Sequence, residues 1–277
     1  MQGRLSPIVD NKIQSFPWNN WQQEIETASK NNINIIEWTI DDDGLYENPL
    51  LTDKGREEIN FLTKKNKVKI PSLTGDCFMQ NPFWKAHGEH KKKLENDFIN
   101  ILYACKKTSI SIILIPLVDN GSIENQEQEE ELFAFLSSKK KLIKELSLKV
   151  CFESDFPPQK LNKFISRYDK QVFGINYDIG NRSAMGFNPN KEFEEYGNRI
   201  INVHIKDRPF GGTTVPLGDG DADFNLIFSL LKKYNYNGSL ILQTARSYSG
   251  EHLGVLLKYH KMTKDLAEKL DIAITDT

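Results

Sequence analysis

Four polar residues each follow a short apolar run at separate points along the chain. Glu153 follows VCF, Asp178 follows INY, His204 follows INV and Gln243 follows LIL. Two carboxylates, an imidazole and an amide form a donor set that suits one divalent metal ion, of the kind Mn²⁺, Co²⁺, Mg²⁺ or Zn²⁺. The lack of a thiolate among the four argues against a structural zinc centre.

The apolar runs before these residues belong to a wider alternation of strand-like and helical segments. Strand-like runs occur at residues 33–36, 68–73, 110–117, 148–152, 172–177, 200–205 and 240–242, with a further one near residues 2–5. This alternation predicts an α/β fold, a (β/α)₈ TIM barrel, in which the strand ends meet at the edge where barrel enzymes place their chemistry. A doubly wound sheet is less favoured because the chain has no GxGxxG or GxxxxGK[ST] loop.

Helical patterns lie between the strand-like runs. The clearest places Leu94, Phe98, Ile101, Leu102 and Cys105 on one apolar stripe that should pack against the sheet. With no linker or low-complexity break in its 277 residues, the chain is expected to form a single domain over 1–277.

Composition restricts the function classes. The formal charge of −2 indicates neither a nucleic-acid partner nor a membrane surface. Cys77, Cys105 and Cys151 form no CxxC pair, which favours a reducing compartment. The longest apolar run, residues 110–118, is too short to span a bilayer, and the first ten residues do not resemble a signal peptide. A soluble, cytoplasmic protein is therefore expected.

Two of the predicted strands carry polar residues along one face and not only at their ends. Alternation puts Asn202, His204 and Lys206 on one face, and Asn176 and Asp178 on one face of the preceding strand. Each residue alone is more simply explained by a hydrogen-bond network at the barrel rim. Four candidate ligands at consecutive strand ends favour a metal site instead.

Four motifs resemble those of the xylose isomerase-like barrel superfamily of sugar and sugar-phosphate isomerases and epimerases. They are FESD around Glu153, NYDIGNRSAMG with Asp178 and Asn181, NVHIKD with His204, and PLGDGDADF over residues 216–224. The resemblance covers most of the chain. It implies that Glu153, Asp178 and His204 coordinate a metal, and that a glutamate at the end of the eighth strand supplies a fourth ligand and a second base.

Gln243 stands where the resemblance places that glutamate. An amide oxygen can bind a cation, but an amide does not accept a proton at neutral pH, so a symmetric proton transfer between two glutamates is in question. With only Glu153 and Asp178 charged, a divalent ion is about neutralised by its ligands. Such a site should be a better electrophile and a better host for anions.

Enediolate chemistry is the mechanism expected at such a site, with Glu153 as the base. Return of the proton to the adjacent carbon on the same face gives isomerisation, whereas epimerisation needs a second acid on the opposite face. Lys206, Glu37 and Asp76 are candidates for that acid. Lys206 could instead act as a fixed charge that holds Glu153 or a substrate oxygen.

Other polar residues near strand ends are candidates for substrate binding. Glu37 could bind substrate hydroxyls or pair with Arg4, and Asp76 could face a pocket or cap a helix beside core aromatics. Several arginines could converge on a substrate phosphate or carboxylate. The predicted substrate-binding residues are Glu37, Asp76, Arg4, Asn181, Arg208 and Arg246, and Arg182 belongs to the same group of arginines.

The sequence thus predicts a metal-dependent isomerase or epimerase that acts on a small-molecule sugar or sugar phosphate. A keto-polyol dehydratase of the same superfamily and a catalytically silent sugar-binding barrel are the alternatives. The resemblance also suggests a homo-oligomer. The scarcity of histidines, five in all, argues against the apurinic-site endonucleases, which resemble this fold but use a multi-zinc centre.

Overall fold

The computed structural model describes residues 1–8 and 14–272. Seven parallel strands follow one another around a single sheet in the order of the chain. They are β1 (Ile35–Ile40), β2 (Lys69–Gly75), β3 (Ile112–Leu117), β4 (Lys149–Ser154), β5 (Phe173–Asp178), β6 (Ile200–Ile205) and β7 (Leu240–Leu242).

The first residues of the chain close the gap between β7 and β1. Gln2 donates its backbone N–H to Leu242 O at 3.2 Å, and Glu37 N donates to Met1 O at 2.8 Å. These residues form no regular strand, because Gly3 has a φ of 50°, in the left-handed region that interrupts an extended chain. The prediction of a (β/α)₈ TIM barrel is confirmed, with residues 1–4 filling the position between β7 and β1.

Helices surround the barrel. They are α1 (Trp21–Lys30), α2 (Asp53–Asn66), α3 (Asp76–Gln80), α4 (Gly88–Lys107), α5 (Gln126–Glu145), α6 (Pro158–Ser166), α7 (Ile179–Ala184), α8 (Pro189–Tyr196), α9 (Phe224–Lys233) and α10 (His252–Lys269). The apolar stripe predicted from Leu94 to Cys105 is buried along α4. None of the helices in the described ranges combines the length and the apolar character needed to cross a bilayer.

Alternation along β4 shows how the fold separates packing from chemistry. Val150 and Phe152 share one face of the strand, and Phe152 packs edge-on against Phe164 of α6 with ring centroids 5.2 Å apart. Burial of such a ring contributes about 1.5–3 kcal/mol. Glu153 is the next residue and therefore points to the opposite face, into the barrel.

One strand differs from its predicted position in a way that matters for function. The sequence placed Glu37 after a strand ending at residue 36, but β1 begins at Ile35 and continues through Trp38 to Ile40. Ile33 instead belongs to the turn after α1, where its N–H bonds to Ala28 O and Asn32 has a φ of 57°. Glu37 therefore lies in the middle of its strand, below the mouth of the barrel.

Candidate metal centre and its surroundings

Three of the four predicted ligands meet inside the carboxyl end of the barrel. Glu153 is the fifth of six residues in β4, Asp178 is the last of β5 and His204 is the fifth of β6. Asp178 and His204 are direct register partners. One ligand atom from each of the three residues lies within 4.8 Å of the others, and all three side chains are buried.

The spacing of the ligand atoms fits one cation. His204 Nδ1 lies 3.4 Å from Glu153 Oε2 and 3.7 Å from Asp178 Oδ2. Ligands about 2.0–2.2 Å from a tetrahedral ion lie about 3.4 Å from one another. Two carboxylate oxygens and an imidazole nitrogen at these separations suit a divalent metal.

Glu37 orients the imidazole from below. Its Oε1 lies 2.8 Å from His204 Nε2. The carboxylate also accepts bonds from Ser72 Oγ, Thr74 Oγ1 and Asn202 Nδ2, at 2.6, 2.7 and 3.0 Å. A partner on Nε2 leaves Nδ1 directed at the other two ligands, as is usual for metal-binding histidines.

Charge interactions outweigh burial in this group. Burial alone would raise the pKa of Glu37, but His204 and the hydroxyls of Ser72 and Thr74 lower it to about 2. Burial likewise opposes the charge on Asp178, yet Lys206 and His204 lower its pKa to about 2. Burial would lower the pKa of His204, and the carboxylates around it raise that pKa well above its usual value. A cation at Nδ1 must therefore compete with a proton.

Two asparagines hold Glu153. Asn176 Nδ2 donates to Glu153 Oε2 at 2.7 Å, and Asn181 Nδ2 donates to Oε1 at 2.6 Å. Asn181 also donates its backbone N–H to Asp178 Oδ1 at 2.8 Å, which caps the start of α7. The sequence placed Asn181 among the substrate-binding candidates, and the structure places it beside the predicted base. Asn176 was not assigned a role from the sequence, although its place two residues before Asp178 indicated an inward side chain.

Gln243 and Lys206 form a chain of hydrogen bonds on the other side of the centre. Lys206 Nζ donates to Asp178 Oδ2 at 3.1 Å and to Gln243 Oε1 at 2.6 Å. Gln243 Nε2 donates to Gln2 Oε1 at 2.6 Å. The amide oxygen predicted as a fourth ligand is thus bonded to the ammonium group. Gln2 was not predicted from the sequence, because its contact with Gln243 joins residues 241 positions apart.

Arg4 and Arg246 tie the N-terminal segment to the chain after β7. Arg4 Nε donates to Thr244 O at 2.9 Å. Arg246 Nη1 donates to Ser6 O at 2.7 Å, and Nη2 donates to Gly3 O. Burial, with Arg246 nearby, lowers the pKa of Arg4 to about 9. Both guanidinium groups therefore contact backbone carbonyls of the barrel wall.

Arg208 and Arg182 lie on the β5 and β6 side of the mouth. Arg208 Nη1 donates to Asn181 Oδ1 at 2.7 Å, so it supports the residue that holds Glu153. Arg182 is buried, and it forms an ion pair with Glu192 and donates to Ser154 O at 2.8 Å. In the described residues, Arg208 and Arg182 contact groups on the β5 and β6 side of the mouth, whereas Arg4 and Arg246 contact carbonyls of the N-terminal segment and of the chain after β7.

Asp207 fastens the glycine-rich loop after β6. Its Oδ2 accepts the backbone N–H groups of Gly218 and Gly220 at 2.8 and 3.1 Å, and Oδ1 accepts that of Ala222 at 3.2 Å. Gly220 has no room for a side chain, since a Cβ there would lie 2.2 Å from Asp207 Oδ1. The loop over residues 211–221 is therefore anchored at its second half.

Asp76 follows β2 and is the first residue of α3. Gln14 Nε2 donates to its Oδ2 at 2.8 Å. The nearby rings of Phe78, Phe83 and Trp84 are buried, and Phe83 packs edge-on against Trp84. These aromatics therefore belong to the core, which agrees with the interpretation of the sequence that placed Asp76 at a helix beside core aromatics.

Comparisons with known proteins agree with this architecture. Residues 25–268 match the family model described as xylose isomerase-like TIM barrel. A proposed L-ribulose-5-phosphate 3-epimerase of Haemophilus influenzae, SgbU, is 25% identical over 267 residues, which cover 90% of this chain and 92% of that protein. An inosose dehydratase of Clostridium tetani is 28% identical over 152 residues, 46% of this chain and 51% of that enzyme.

A solved structure gives the same result for the fold. The crystal structure of the IOLI protein with a bound zinc atom superimposes with a TM-score of 0.73 at 18% identity, covering 91% of this chain and 94% of that one. The family resemblance read from the four motifs is confirmed by the family match.

Proposed function

Since the chain belongs to the xylose isomerase-like TIM barrel family, we propose that it is a metal-dependent isomerase or epimerase acting on a ketose or sugar phosphate through an enediolate. The observation that carries this proposal is the meeting of Glu153, Asp178 and His204 at the carboxyl end of the barrel. The similarity to an L-ribulose-5-phosphate 3-epimerase over nine-tenths of the chain supports the substrate class.

Glu153, Asp178 and His204 would hold one Mn²⁺, Co²⁺, Mg²⁺ or Zn²⁺ ion. When bound, such an ion polarises a carbonyl and stabilises the negative charge that develops on the carbonyl oxygen. Glu37 keeps His204 Nδ1 directed at this position, and Lys206 fixes Asp178 from the other side. The chain thus supplies two negative charges and one neutral nitrogen to the ion.

Glu153 is the proposed base. Of the three ligands it is the one with some exposure, 8% of its surface, whereas Asp178 and His204 are fully enclosed. Its two oxygens are held by the amides of Asn176 and Asn181, so the carboxylate has a fixed direction at the mouth. A base in this position can remove the proton from the carbon beside the substrate carbonyl.

Lys206 is proposed to act as a fixed positive charge beside the developing enediolate. Its ammonium is held between Asp178 and Gln243, and a charge that is already oriented stabilises an anion without reorganisation. Gln243 cannot take a proton itself, and its bond to Lys206 favours a role in positioning. We further propose that Asn181 and Arg208 form the substrate-facing wall beside Glu153, and Arg4 and Arg246 the wall after β7.

A dehydratase is the second candidate. It begins with the same abstraction of a proton beside a carbonyl, and the replacement of a second base by Gln243 is compatible with it. The similarity to an inosose dehydratase over half of that enzyme supports this alternative.

Proton NMR in D₂O tests the proposed function. L-ribulose 5-phosphate, D-psicose, D-tagatose and inosose would each be incubated with enzyme loaded with Mn²⁺ or Co²⁺, with chelator-treated enzyme and with the variant Glu153→Gln. Of these three samples, only the loaded wild type should place deuterium next to the carbonyl. The variant Glu24→Gln, which alters a buried carboxylate of α1, is the matched control and should still exchange.

Each alternative has its own result in the same experiment. Loss of water with inosose would identify a dehydratase. Saturable binding of a sugar with no exchange in any metal-loaded sample would contradict the proposal and favour a silent sugar-binding barrel.

A further inference from the structure

We propose that Asp76 is the second acid, which delivers a proton to the substrate carbon from the face opposite Glu153 and so makes this chain an epimerase. This inference rests on the proposed function, because it needs the enediolate that Glu153 creates. Asp76 would take the role that the family resemblance gives to a glutamate at the end of the eighth strand, where this chain has Gln243.

The other candidates for this acid are occupied. Glu37 lies in the middle of β1, is fully enclosed and accepts four hydrogen bonds, so no substrate atom reaches it. Lys206 is held between two acceptors, Asp178 and Gln243. Gln243 is an amide and carries no proton that it can donate and regain at neutral pH.

Asp76 lies on the same rim as Glu153, about a quarter of the way around the barrel from it. It follows β2 directly, and two strand spacings of about 4.8 Å each separate β2 from β4, where Glu153 lies. Two carboxyl groups that reach inward from points about 10 Å apart can flank one carbon of a bound sugar. Asp76 is 7% exposed, so its carboxyl group is largely withdrawn from bulk water but can still exchange its proton with solvent.

The neighbouring carboxylate makes Asp76 a proton carrier. Ile40 pairs with Gly75, so Asp41 and Asp76 are adjacent at the ends of β1 and β2. Asp41 accepts N–H bonds from Phe16 and Gln80, at 3.2 and 2.8 Å, an arrangement suited to a carboxylate. Among the described residues, Asp76 has one such donor, Gln14. Of two adjacent carboxyl groups, the one with fewer donors keeps the proton.

The charges around Asp76 act mostly in the same direction. Burial and the charge of Asp41 raise the pKa of Asp76 to about 7, and Glu153 and Glu37 add to this, while the bond from Gln14 opposes it. Arg4, in the N-terminal segment, carries an opposing positive charge that interacts with Asp76. A carboxylic acid that titrates near neutrality can both give and regain a proton in each turnover.

The proposed reaction inverts the substrate carbon through two proton transfers. Glu153 carboxylate takes the proton from the carbon beside the carbonyl, and the electron pair of the broken C–H bond forms the enediolate. The enediolate then takes the proton of neutral Asp76 on the other face, which re-forms the carbonyl with inverted configuration. Glu153 is left protonated and Asp76 ionised, and exchange with solvent restores both.

The first test measures proton exchange and inversion separately. Wild type, Asp76→Asn and Asp41→Asn, each loaded with Co²⁺, are incubated with L-ribulose 5-phosphate or D-psicose in D₂O, and deuterium uptake and epimer formation are followed by NMR. For Asp76→Asn we expect deuterium uptake to remain and epimer formation to fall about 100-fold or more. For Asp41→Asn we expect epimer formation to persist with its pH profile moved to lower pH.

Several results would overturn the assignment. Epimer formation by Asp76→Asn at the wild-type rate would do so, as would an equal loss of exchange and inversion, or a wild type that exchanges without inverting. If the wild type neither exchanges nor inverts, the proposed function fails and this role fails with it.

A second measurement needs no substrate. ¹³C NMR of aspartate-labelled protein should show a carboxyl that titrates near neutral pH and is absent from Asp76→Asn. A carboxyl of Asp76 that titrates in the ordinary acidic range would overturn the assignment even if the enzyme exchanges protons.

Discussion

Replacement of Glu37 by glutamine is predicted to weaken metal binding although Glu37 itself binds no metal. The glutamine oxygen can keep the bonds to His204 and Thr74, which are 2.8 and 2.7 Å long in the wild type. In the wild type, Asn202 Nδ2 donates to Glu37 Oε2 at 3.0 Å. In the variant, the NH₂ group of the glutamine takes the place of Oε2 and faces this donor. Two donors opposed in this way leave one bond unmade, and the imidazole loses its negative partner.

The magnitude follows from these contacts. Loss of the carboxylate behind a metal-binding histidine typically reduces metal affinity about 10- to 100-fold, which is about 1.4–2.7 kcal/mol. The unsatisfied buried donor should lower the free energy of unfolding by about 1–3 kcal/mol in addition. The two effects are separable because one is measured with metal and the other by urea denaturation.

The assay is calorimetric titration of Co²⁺ into wild type, Glu37→Gln and the control Glu24→Gln at one pH. Glu24 is a buried glutamate that accepts the backbone N–H groups of Leu5 and Ser6, so the control makes the same chemical change away from the ligands. The reasoning predicts weaker Co²⁺ binding by Glu37→Gln alone. Equal affinity of all three proteins, or an equal loss in Glu24→Gln, would refute it.

Three further predictions concern charge. Gln243→Glu should raise metal affinity about tenfold, since it adds a carboxylate at the site and Lys206 offsets only part of it; calorimetry that shows unchanged affinity would count against this. Glu192→Gln should lower the free energy of unfolding by about 3–5 kcal/mol in urea, because it leaves Arg182 buried without its carboxylate. The pKa of Asp76 is raised from 3.8 to about 7 in the folded protein. Proton binding to Asp76 therefore stabilises the folded state. This contribution to the free energy of unfolding is complete below about pH 4 and is lost as pH rises through 7. Asp76→Asn should therefore gain stability relative to wild type, by at most about 4 kcal/mol, as pH rises from 4 to 7; a pH-independent difference would contradict this.

The ligand positions could be predicted from the sequence because parallel strands place their carboxyl ends together. Glu153, Asp178 and His204 follow short apolar runs that are typical of buried parallel strands. The alternation of side chains along a strand then determines the direction in which each of them points. The depth of Glu37 could not be predicted, because the sequence INIIEWTI is apolar at both ends and does not show where the strand begins.

The partners of the arginines also required the structure. A guanidinium group close to a strand end can bind a substrate anion or a backbone carbonyl equally well, and the choice depends on contacts distant in sequence. Arg246 contacts Ser6, 240 positions away, and Arg4 contacts Thr244, also 240 positions away. Periodicity carries no information on pairs so far apart.

Elemental analysis of purified protein tests the metal centre most directly. Wild type, Glu153→Ala and His204→Ala would be compared after reconstitution with Mn²⁺, Co²⁺ or Zn²⁺, with folding checked by circular dichroism. The structure predicts one bound ion per wild-type chain, and its loss from both folded variants. A wild type that retains no ion after reconstitution, or folded variants that retain it fully, would contradict the assignment of Glu153, Asp178 and His204 as a metal site.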